Sequence, residues 1–568
     1  MNKFLWIVLL ALASISGTSQ QVLLDDDFSE WSSAGFRYAD PTGDGIPFGI
    51  DMGAISTSND ETYLYFYFEL NSEILLQSSN TLALHIDLDN NPNTGSSLIV
   101  PGADLSWFFG NRSGFLWVGS GRPVNHDEVG FISAPTVSSD RFEIAIRRDI
   151  NVMGSRITAA SQIKFCLVDQ QNGGDRAPNG SLTSYTYQLS NLQNQWPSVS
   201  FQKLRADHLR VLSYNVERDA LFDPNKKSSF ARIFQTIRPD IIGLQEIYNN
   251  TSAASADLIG EFLPSENGVW YHAGVSPDIH IVSKYPVLGT ARIDGNGAFL
   301  LNVDGTRVLA VVAHLPCCEN EASRQREADN LMRFIRDLKD GIGPFALPKD
   351  SPIIIMGDMN FVGFREQLQT LLTGRIINTS TFGPSFSPDW DGSAFLDARP
   401  LTNESPFTYT WPGRGTSFSP GRLDYIIYSG SVLQLENSYV LAPDLLTNQQ
   451  ITETGLFRSD ALNSSDHLPV VADFTFKTRS STIDLGNIYR ISVYPTLAQD
   501  LLQINFEETE NLGLVRYRIF DASGRLWTEG IIHQSDEFIE INTLPNGPYN
   551  LLIQGRNFSQ TEKFLIQR

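Results

Sequence analysis

Apolar and polar positions change rhythm three times along the chain. From Asp25 to about Gln202 the apolar runs are short and strand-like. Tyr63-Leu64-Tyr65-Phe66-Tyr67-Phe68 is aromatic and β-favouring, Leu82–Ile86 follows in the same style, and Phe142–Ile146 alternates with a period of two. Clusters of Gly, Asn, Asp and Pro separate these runs and no long helical pattern intervenes, which reads as a β-sandwich over 25–202. Around 191–207 the pattern weakens, and a linker is expected there. From 208 to 477 strands and helices interleave. Leu209–Tyr214, Ile241–Leu244, Val308–Val312 and Pro352–Met356 read as buried strands, and Ser229–Thr236 as helix up to Pro239. Glu321–Lys339 places Leu331, Phe334, Ile335 and Leu338 at a 3.6-residue spacing. The middle stretch is therefore α/β. Over 487–568 short strands return, as expected of a second, small β-sandwich.

The N-terminus adds a targeting signal. Lys3 precedes an apolar run from Phe4 to about Ile15, and small residues follow at Ser16, Gly17 and Ser19. That is the pattern of a cleaved signal peptide over 1–19. A membrane anchor needs about 20 apolar residues, and this run is shorter. No second such run follows, so a soluble, exported chain without a transmembrane segment is expected. The length of 568 residues suits roughly three to five domains. Lys+Arg 42 against Asp+Glu 64 gives a formal charge of −22, which disfavours a basic nucleic-acid scaffold. It leaves room for an enzyme that meets phosphate through a cation. Three cysteines, Cys166, Cys317 and Cys318, do not make a disulfide framework, and free or buried thiols are the plainer reading. No Cys/His spacing resembles a zinc site.

Polar residues in the middle stretch stand at the ends of its buried strands. Asn215, Gln245-Glu246, His314, and Asp358 with Asn360 follow strands; Asp424 and Asp466-His467 precede them. Loops at the ends of rigid strands are where sites are built. Any one of these residues could be a turn or cap. Together they supply carboxylates, amides and two imidazoles, a set suited to a hard cation such as Mg²⁺ and to proton transfer. In the first stretch, Asp87-Leu88-Asp89-Asn90-Asn91-Pro92-Asn93-Thr94-Gly95 offers alternating oxygen ligands from Asp87, Asp89 and Asn91. This is a candidate loop for structural Ca²⁺. Gly95 is misplaced for an EF-hand and no bidentate Glu follows, so an Asx-rich hairpin turn is the favoured alternative.

Three resemblances follow. The order Ser213-Tyr214-Asn215-Val216, Gln245-Glu246, Ser283-Lys284-Tyr285-Pro286, His314-Leu315, Gly357-Asp358-Met359-Asn360, Arg422-Leu423-Asp424-Tyr425-Ile426, Ser465-Asp466-His467 resembles the endonuclease/exonuclease/phosphatase superfamily over nearly the whole of 208–477. The resemblance implies a four-layer α/β sandwich and metal-assisted hydrolysis of phosphate esters. It implies Glu246 as principal metal ligand, assisted by Asn215 and the side of the site near Asp466. Asp358 would orient or deprotonate the attacking water, and Asn360 would hold phosphate or that water. His314 and His467 would steady the non-bridging oxygens and the leaving group, and Asp424 would fix the His467 ring. Which group is acid and which base stays open, as does the metal among Mg²⁺, Mn²⁺ and Ca²⁺.

The second resemblance lies at 487–568. A Tyr494-Pro495, a Phe520-Asp521…Gly524-Arg525 hairpin, a Leu544-Pro545-Asn546-Gly547-Pro548-Tyr549 turn and a Lys563-Phe564-Leu565-Ile566 end resemble the C-terminal sorting domain of the type IX secretion system. It implies a Gram-negative source, engagement of the secretion machinery, and a protein released or attached at the cell surface after crossing the outer membrane. The third is looser. Asp27-Phe28-Ser29-Glu30-Trp31 and Asp60–Tyr65 resemble sandwich domains related to family 9 carbohydrate-binding modules, which implies a binding or spacer role for 25–202.

Two local departures bear on substrate. Pro316-Cys317-Cys318-Glu319 follows His314, and Asp278-Ile279-His280 precedes the Ser-Lys-Tyr-Pro block, with His280 read as facing solvent or touching substrate. Arg324, Arg326, Arg333 and Arg336 share a helix with Glu321, Glu327, Asp329 and Asp337 and read as a solvated face. A nuclease is the leading expectation. Phospholipid or sphingomyelin phosphodiesterase, with Phe361-Val362-Gly363-Phe364 as a weak membrane-contact candidate that reads better as buried core, and phosphomonoesterase are alternatives. So is a non-catalytic surface binding protein. The sequence carries no signal for oligomeric state.

Overall fold

The structure is a computed structural model that describes residues 22–33, 36–179, 183–194, 196–197, 199–265, 268–275, 277–477, 491–506, 515–532, 536–554 and 559–568. The expected signal peptide lies outside the described residues. The chain divides into two units, Met1–Phe476 and Lys477–Arg568.

Two six-stranded sheets form the middle of the first unit. One runs Tyr271–Val275, Ile279–Ser283, Ile241–Gln245, Leu209–Asn215, Val470–Phe476, Leu433–Val440. The other runs Val287–Ile293, Asn296–Val303, Thr306–His314, Ile353–Asp358, Asp424–Tyr428, Leu396–Asp397. The near-continuous apolar runs read from sequence are explained by burial on both faces. Val211, Ile281, Val308, Val312, Ile354, Met356, Val470 and Phe474 fill the space between the sheets. Outside the first sheet, Leu212, Ile242 and Leu244 meet Phe230, Ile233 and Phe234 of helix Lys227–Ile237 and Ile259 of helix Ser252–Phe262. Outside the second, Leu309, Val311 and Ile355 meet Leu331, Met332, Ile335 and Leu338 of helix Glu321–Lys339. The result is helix, sheet, sheet, helix: the four-layer sandwich.

Buried Arg210 ties together two interior strands of the first sheet. Its guanidinium pairs with Asp473 at 2.6 and 2.7 Å and donates to the carbonyls of Phe201 and Ile237. Phe201, in the stretch read as a linker, is itself buried against this layer.

The N-terminal part has a sheet Phe36–Ala39, Met52–Asn59, Tyr63–Ile74, Ser139–Arg147, Ile132–Ala134 facing a second built on Gln162–Asp169, Leu82–Asp87, Leu105–Phe108, Ser113–Leu116 and Arg122–Val124. Leu64, Phe66, Phe68, Ile86, Trp107, Phe142, Ile144, Ile146 and Phe165 make its core. The alternation at Phe142–Ile146 does not mark one wet face. Glu143 and Ala145 are buried too, and Glu143 accepts from Trp31 Nε1 at 2.9 Å and Asp26 N at 3.0 Å, because residues 22–33 fold back over that face.

The second unit has a three-stranded sheet Ile491–Tyr494, Leu501–Phe506, Asp536–Glu540, and a five-stranded sheet Leu497–Ala498, Ser559–Ile566, Gly547–Gln554, Val515–Asp521, Leu526–Ile532. Leu502, Ile504, Ile519, Leu551 and Ile553 are its core. The Asp521 carboxylate closes the hairpin read from sequence by accepting from Ser523 Oγ at 2.6 Å, Ser523 N and Arg525 N; the Ser523 hydroxyl first, then Trp527 Nε1 and those backbone donors, hold its pKa down to about 2.

Removing one partner of a buried ion pair strands the other charge, at a cost of about 3–5 kcal/mol. Asp473→Ala is expected to destabilise the first unit by about that much, read by chemical denaturation. A change under about 0.5 kcal/mol, the size of an ordinary surface substitution, would show that Arg210 does not depend on the pair.

Candidate functional site

Strand register assembles the site. In the second sheet His314 lies opposite Asp358, and Asp358 opposite Asp424, so three site residues form a row across adjacent strands. In the first sheet Asn215 lies opposite Gln245, one residue before Glu246. The two rows meet where the sheets face each other. Within the second sheet, Gly357 lets the strand ending at Asp358 lie close against the one ending at His314: its φ is +149°, and a Cβ there would lie 1.9 Å from the carbonyl oxygen of Ala313, its partner on the adjacent strand. Glu246 (φ 65°), Asn360 (φ 49°) and the run Glu217, Arg218, Asp219 (φ 48°, 52°, 63°) are left-handed without being glycine. Such residues cost on the order of 1–3 kcal/mol each and persist where surroundings over-determine them. Here Glu246 Oε2 accepts from Arg218 N at 3.0 Å, and Asp358 Oδ1 from Asn360 N at 3.0 Å.

Asn215 Nδ2 bridges Glu246 Oε1 and Asp358 Oδ2, 3.0 Å from each. His314 Nε2 lies 4.0 Å from Glu246 Oε1 and 3.8 Å from Asp358 Oδ2. On the other side His467 Nε2 lies 3.6 Å from the same Asp358 Oδ2. Glu246, His314 and Asp358 form one group of convergent ligand atoms, and Asp358, Asp424 and His467 a second. Each imidazole is backed by a carboxylate: His467 Nδ1 by Asp424 Oδ2 at 2.8 Å, and His314 Nδ1 by Asp278 Oδ2. Burial alone would strip the proton from either ring. For His314 the Asp278 hydrogen bond and the charges of Asp358, Asp278 and Glu246 override burial and push it up to about 9. For His467 the Asp424 and Asp358 charges, the Asp424 hydrogen bond and Asp466 push it up to about 10. Burial raises Asp424 while His467 draws it back down.

Not every expected residue joins. Asn360 is buried, but its amide donates to Leu315 O at 3.0 Å, tying the Asp358 loop to the His314 loop. Asp466 is exposed and belongs to neither convergent group. His280 does not face solvent; it is buried, with Nδ1 2.9 Å from Ser255 Oγ. The helix Glu321–Lys339 is not simply a solvated face. Arg324 and Asp329 are fully buried and Glu327 nearly so. Arg324 donates to the carbonyls of Pro316 and Cys318, both at 2.8 Å, and so clamps the loop after His314. All three cysteines are free; Cys166 is buried, and Cys317 and Cys318 are exposed on that loop. Phe361 is core, and Gly363 is bonded to Ser138 of the sandwich, so this segment is no free hairpin although Phe364 is exposed.

Sequence reasoning missed Asp278 as the second imidazole's partner. Its signal was present: an acidic residue just before a buried strand, repeating the relation of Asp424 to its own strand. It also missed Asp104, which joins Asp87 and Asp89 in the sandwich loop. Asn91 turns its backbone toward them. It donates its backbone N–H to Asp87 at 3.1 Å and Asp89 at 2.9 Å, and its side-chain oxygen accepts from Asn93 N, the pattern of an Asx turn.

Glu246 and Asp358 converge with hard oxygen donors beside the Asn215 amide, and that donor set fits a hard divalent cation.

Residues 212–467 match the family model described as Endonuclease/Exonuclease/phosphatase family, and residues 492–567 that described as Secretion system C-terminal sorting domain. No curated protein matches the chain. Among solved structures it is similar to D. rerio TDP2 complexed with a single-strand DNA product, at 15% identity, covering 47% of this chain and 99% of that one, with a TM-score of 0.30. It is similar to the human Nocturnin catalytic domain with bound sulfate, at 19% identity over 48% and 95%, TM-score 0.30. It is similar to sphingomyelinase C from Streptomyces griseocarneus, at 16% identity over 47% and 99%, TM-score 0.27. The sorting domain marks the chain for type IX export to the cell surface or beyond. Among the described residues no helix is long and apolar enough to cross a membrane.

Both imidazoles are raised above the ordinary His value, so the sign is fixed. Their ion-pair stabilisation is fully present below about pH 6.5 and is lost as pH rises through about 9 and 10. NMR titration of the metal-free protein is expected to show two rings protonated at pH 7.5. Asp278→Asn should bring His314 down and leave His467 high; a His314 ring that titrates unchanged would contradict the pairing.

Proposed function

We propose, from the premise that residues 212–467 are a domain of the endonuclease/exonuclease/phosphatase family, that this exported chain is a divalent-metal-dependent phosphodiesterase acting on nucleic acid. The observation that carries this reading is the convergence of two carboxylate-backed imidazoles on Asp358 Oδ2, with partly exposed Glu246 on the open side and buried Asn215 bridging the two carboxylates. A phosphodiester is a stable anion. Its hydrolysis needs its charge neutralised, a water aligned for in-line attack, and a proton for the leaving oxygen.

Glu246, with Asp358 and Asn215 beside it, would hold Mg²⁺, Mn²⁺ or Ca²⁺, and a bound cation supplies charge neutralisation at the phosphate. Asp358, at the centre of the polar cluster, would orient or deprotonate the water. His467, kept charged by Asp424, and His314, kept charged by Asp278, donate toward phosphate oxygens. One of the two protonates the leaving alkoxide. Asn360 keeps the water-orienting and imidazole loops in register. Asp466, exposed beside His467, adds negative charge at the rim and is retained only as a peripheral metal contact.

Nucleic acid is favoured by what flanks Glu246. Tyr248 is 46% exposed, and its backbone N–H is bonded to Asp219 at 3.2 Å. Arg218 is exposed on the adjoining left-handed turn, and its charge acts on the Tyr248 hydroxyl. An open aromatic face beside a guanidinium suits a stacked base and its phosphate. A membrane substrate is less well served, because the Phe361–Phe364 segment is pinned rather than projecting. The N-terminal signal peptide and the sandwich Ca²⁺ loop belong to the same reading as an export signal and a structural site.

Purified protein with Mg²⁺, Mn²⁺ or Ca²⁺ is expected to cleave single-stranded DNA, RNA or plasmid DNA, and to stop when EDTA is added. Asp358→Ala and His467→Ala should each lower kcat by at least about 100-fold. Cleavage of sphingomyelin alone would transfer the reading to a lipid phosphodiesterase. Cleavage that survives Asp358→Ala, or no cleavage of any phosphate ester with any of the metals, would overturn it.

A further inference from the structure

The turn Pro135–Ser138 links two strands of the N-terminal sandwich, Ile132–Ala134 and Ser139–Arg147, yet Thr136, Val137 and Ser138 all contact the α/β domain, while the Ser138 hydroxyl also donates to Glu73 of the sandwich. Val137 is 5% exposed and packs in the helix-side core of the second catalytic sheet with Met359, Phe361 and Tyr425. Thr136 Oγ1 accepts from Arg422 N at 2.8 Å. Ser138 N donates to Gly363 O at 2.8 Å, and Ser138 Oγ accepts from Arg365 N at 3.0 Å. The backbone of Gly421 also packs on Thr136: a Cβ there would lie 3.1 Å from Thr136 Cγ2, a tight contact.

These contacts land on the two segments that carry the site. Arg422 is two residues before Asp424, and Gly363 three after Asn360. The segments are joined to each other by Met359 N donating to Leu423 O at 2.8 Å. Thr410 continues the line: its Oγ1 accepts from Leu423 N at 3.0 Å and Asp424 N at 2.9 Å, and its carbonyl accepts from Leu468 N at 2.8 Å, next to His467. The sandwich covers the approach to Asp424 as well. Gln77 Oε1 accepts from Ser419 N at 2.9 Å, and Arg112 donates to Ser417 Oγ at 3.0 Å while lying 4.2 Å over the Phe418 ring.

We infer that the Pro135–Ser138 turn is a positioning element for the catalytic site, and that the N-terminal sandwich is therefore a fixed part of the hydrolase rather than a detachable binding module. The inference rests on the proposed phosphodiesterase reading for its activity readout, and on geometry alone for the rest. Thr136 sets the height of the Arg422–Asp424 segment and hence the ring of His467. Val137 and Ser138 set the segment after Asn360. A misplacement of about 1 Å in such a constellation can cost on the order of 100-fold in rate.

The test is Thr136→Val in the full chain, which keeps shape and removes the acceptor, with Thr136→Ser as the conservative rescue. Two readouts are taken: steady-state kinetics on single-stranded DNA with Mg²⁺, and amide hydrogen exchange at Arg422 and Asp424. Thr136→Val is expected to lower kcat by about 10- to 100-fold with KM held within about twofold, and to speed exchange at both amides. Thr136→Ser should restore both. Wild-type kcat with unchanged exchange in Thr136→Val would overturn the inference. A loss of activity that Thr136→Ser fails to rescue would also overturn it, by reducing Thr136 to a general stability contribution. If the wild type cleaves no phosphate ester, the phosphodiesterase reading falls by itself, and exchange at Arg422 and Asp424 decides the positioning claim alone.

Discussion

Asp358 sets the problem that the first unit solves. Its carboxylate is buried within ion-pair distance of two imidazoles and in one ligand group with Glu246. Two like charges about 4–5 Å apart at an effective dielectric near 20 repel by roughly 3–4 kcal/mol. The imidazoliums at 3.6 and 3.8 Å offset that repulsion only while they keep their protons and their positions. Asp424 and Asp278 keep the protons. The strands keep the positions, because register is locked wherever a sheet is buried on both faces. The same excess of negative charge makes the open side near Glu246 receptive to a cation.

The surrounding structure distributes that burden. Left-handed residues at Glu246 and Asn360 aim side chains that ordinary turns would not, and neighbouring backbone donors hold them there. Arg324 reaches from a helix to fix the loop after His314. The N-terminal sandwich fixes the segments around Asn360 and Asp424 from outside the catalytic layers. Cores, caps and an appended domain thus serve one small cluster whose charges would otherwise spread apart.

Much of this was legible in the sequence where one physical signal dominates. Strands buried on both faces announce themselves as apolar runs, so the strands ending at Asn215, Gln245, His314 and Asp358 could be placed and their terminal polar residues singled out. Helix Glu321–Lys339 was readable from its period, yet its charges were misread. Periodicity shows which face is apolar; it does not show that Arg324 and Asp329 serve carbonyls and amides of distant loops. Asp278 and Asp104 escaped because each acts only through a partner remote in sequence. The role of Thr136 and Val137 had no local signature, since a sandwich turn that feeds another core looks like any turn. Asp466 adjoins His467 in sequence, yet it lies on an exposed bend outside both groups of convergent ligand atoms, and sequence adjacency does not show which of two neighbouring polar residues turns inward.

Anomalous diffraction from crystals soaked in Mn²⁺ tests the central claim most directly, because it reads the cation itself. The expected result is a manganese peak bracketed by Glu246 and Asp358 within coordination distance of both, lost in Glu246→Gln. Manganese that is absent there at saturating concentration, or that settles only at the sandwich carboxylates Asp87, Asp89 and Asp104, would contradict it.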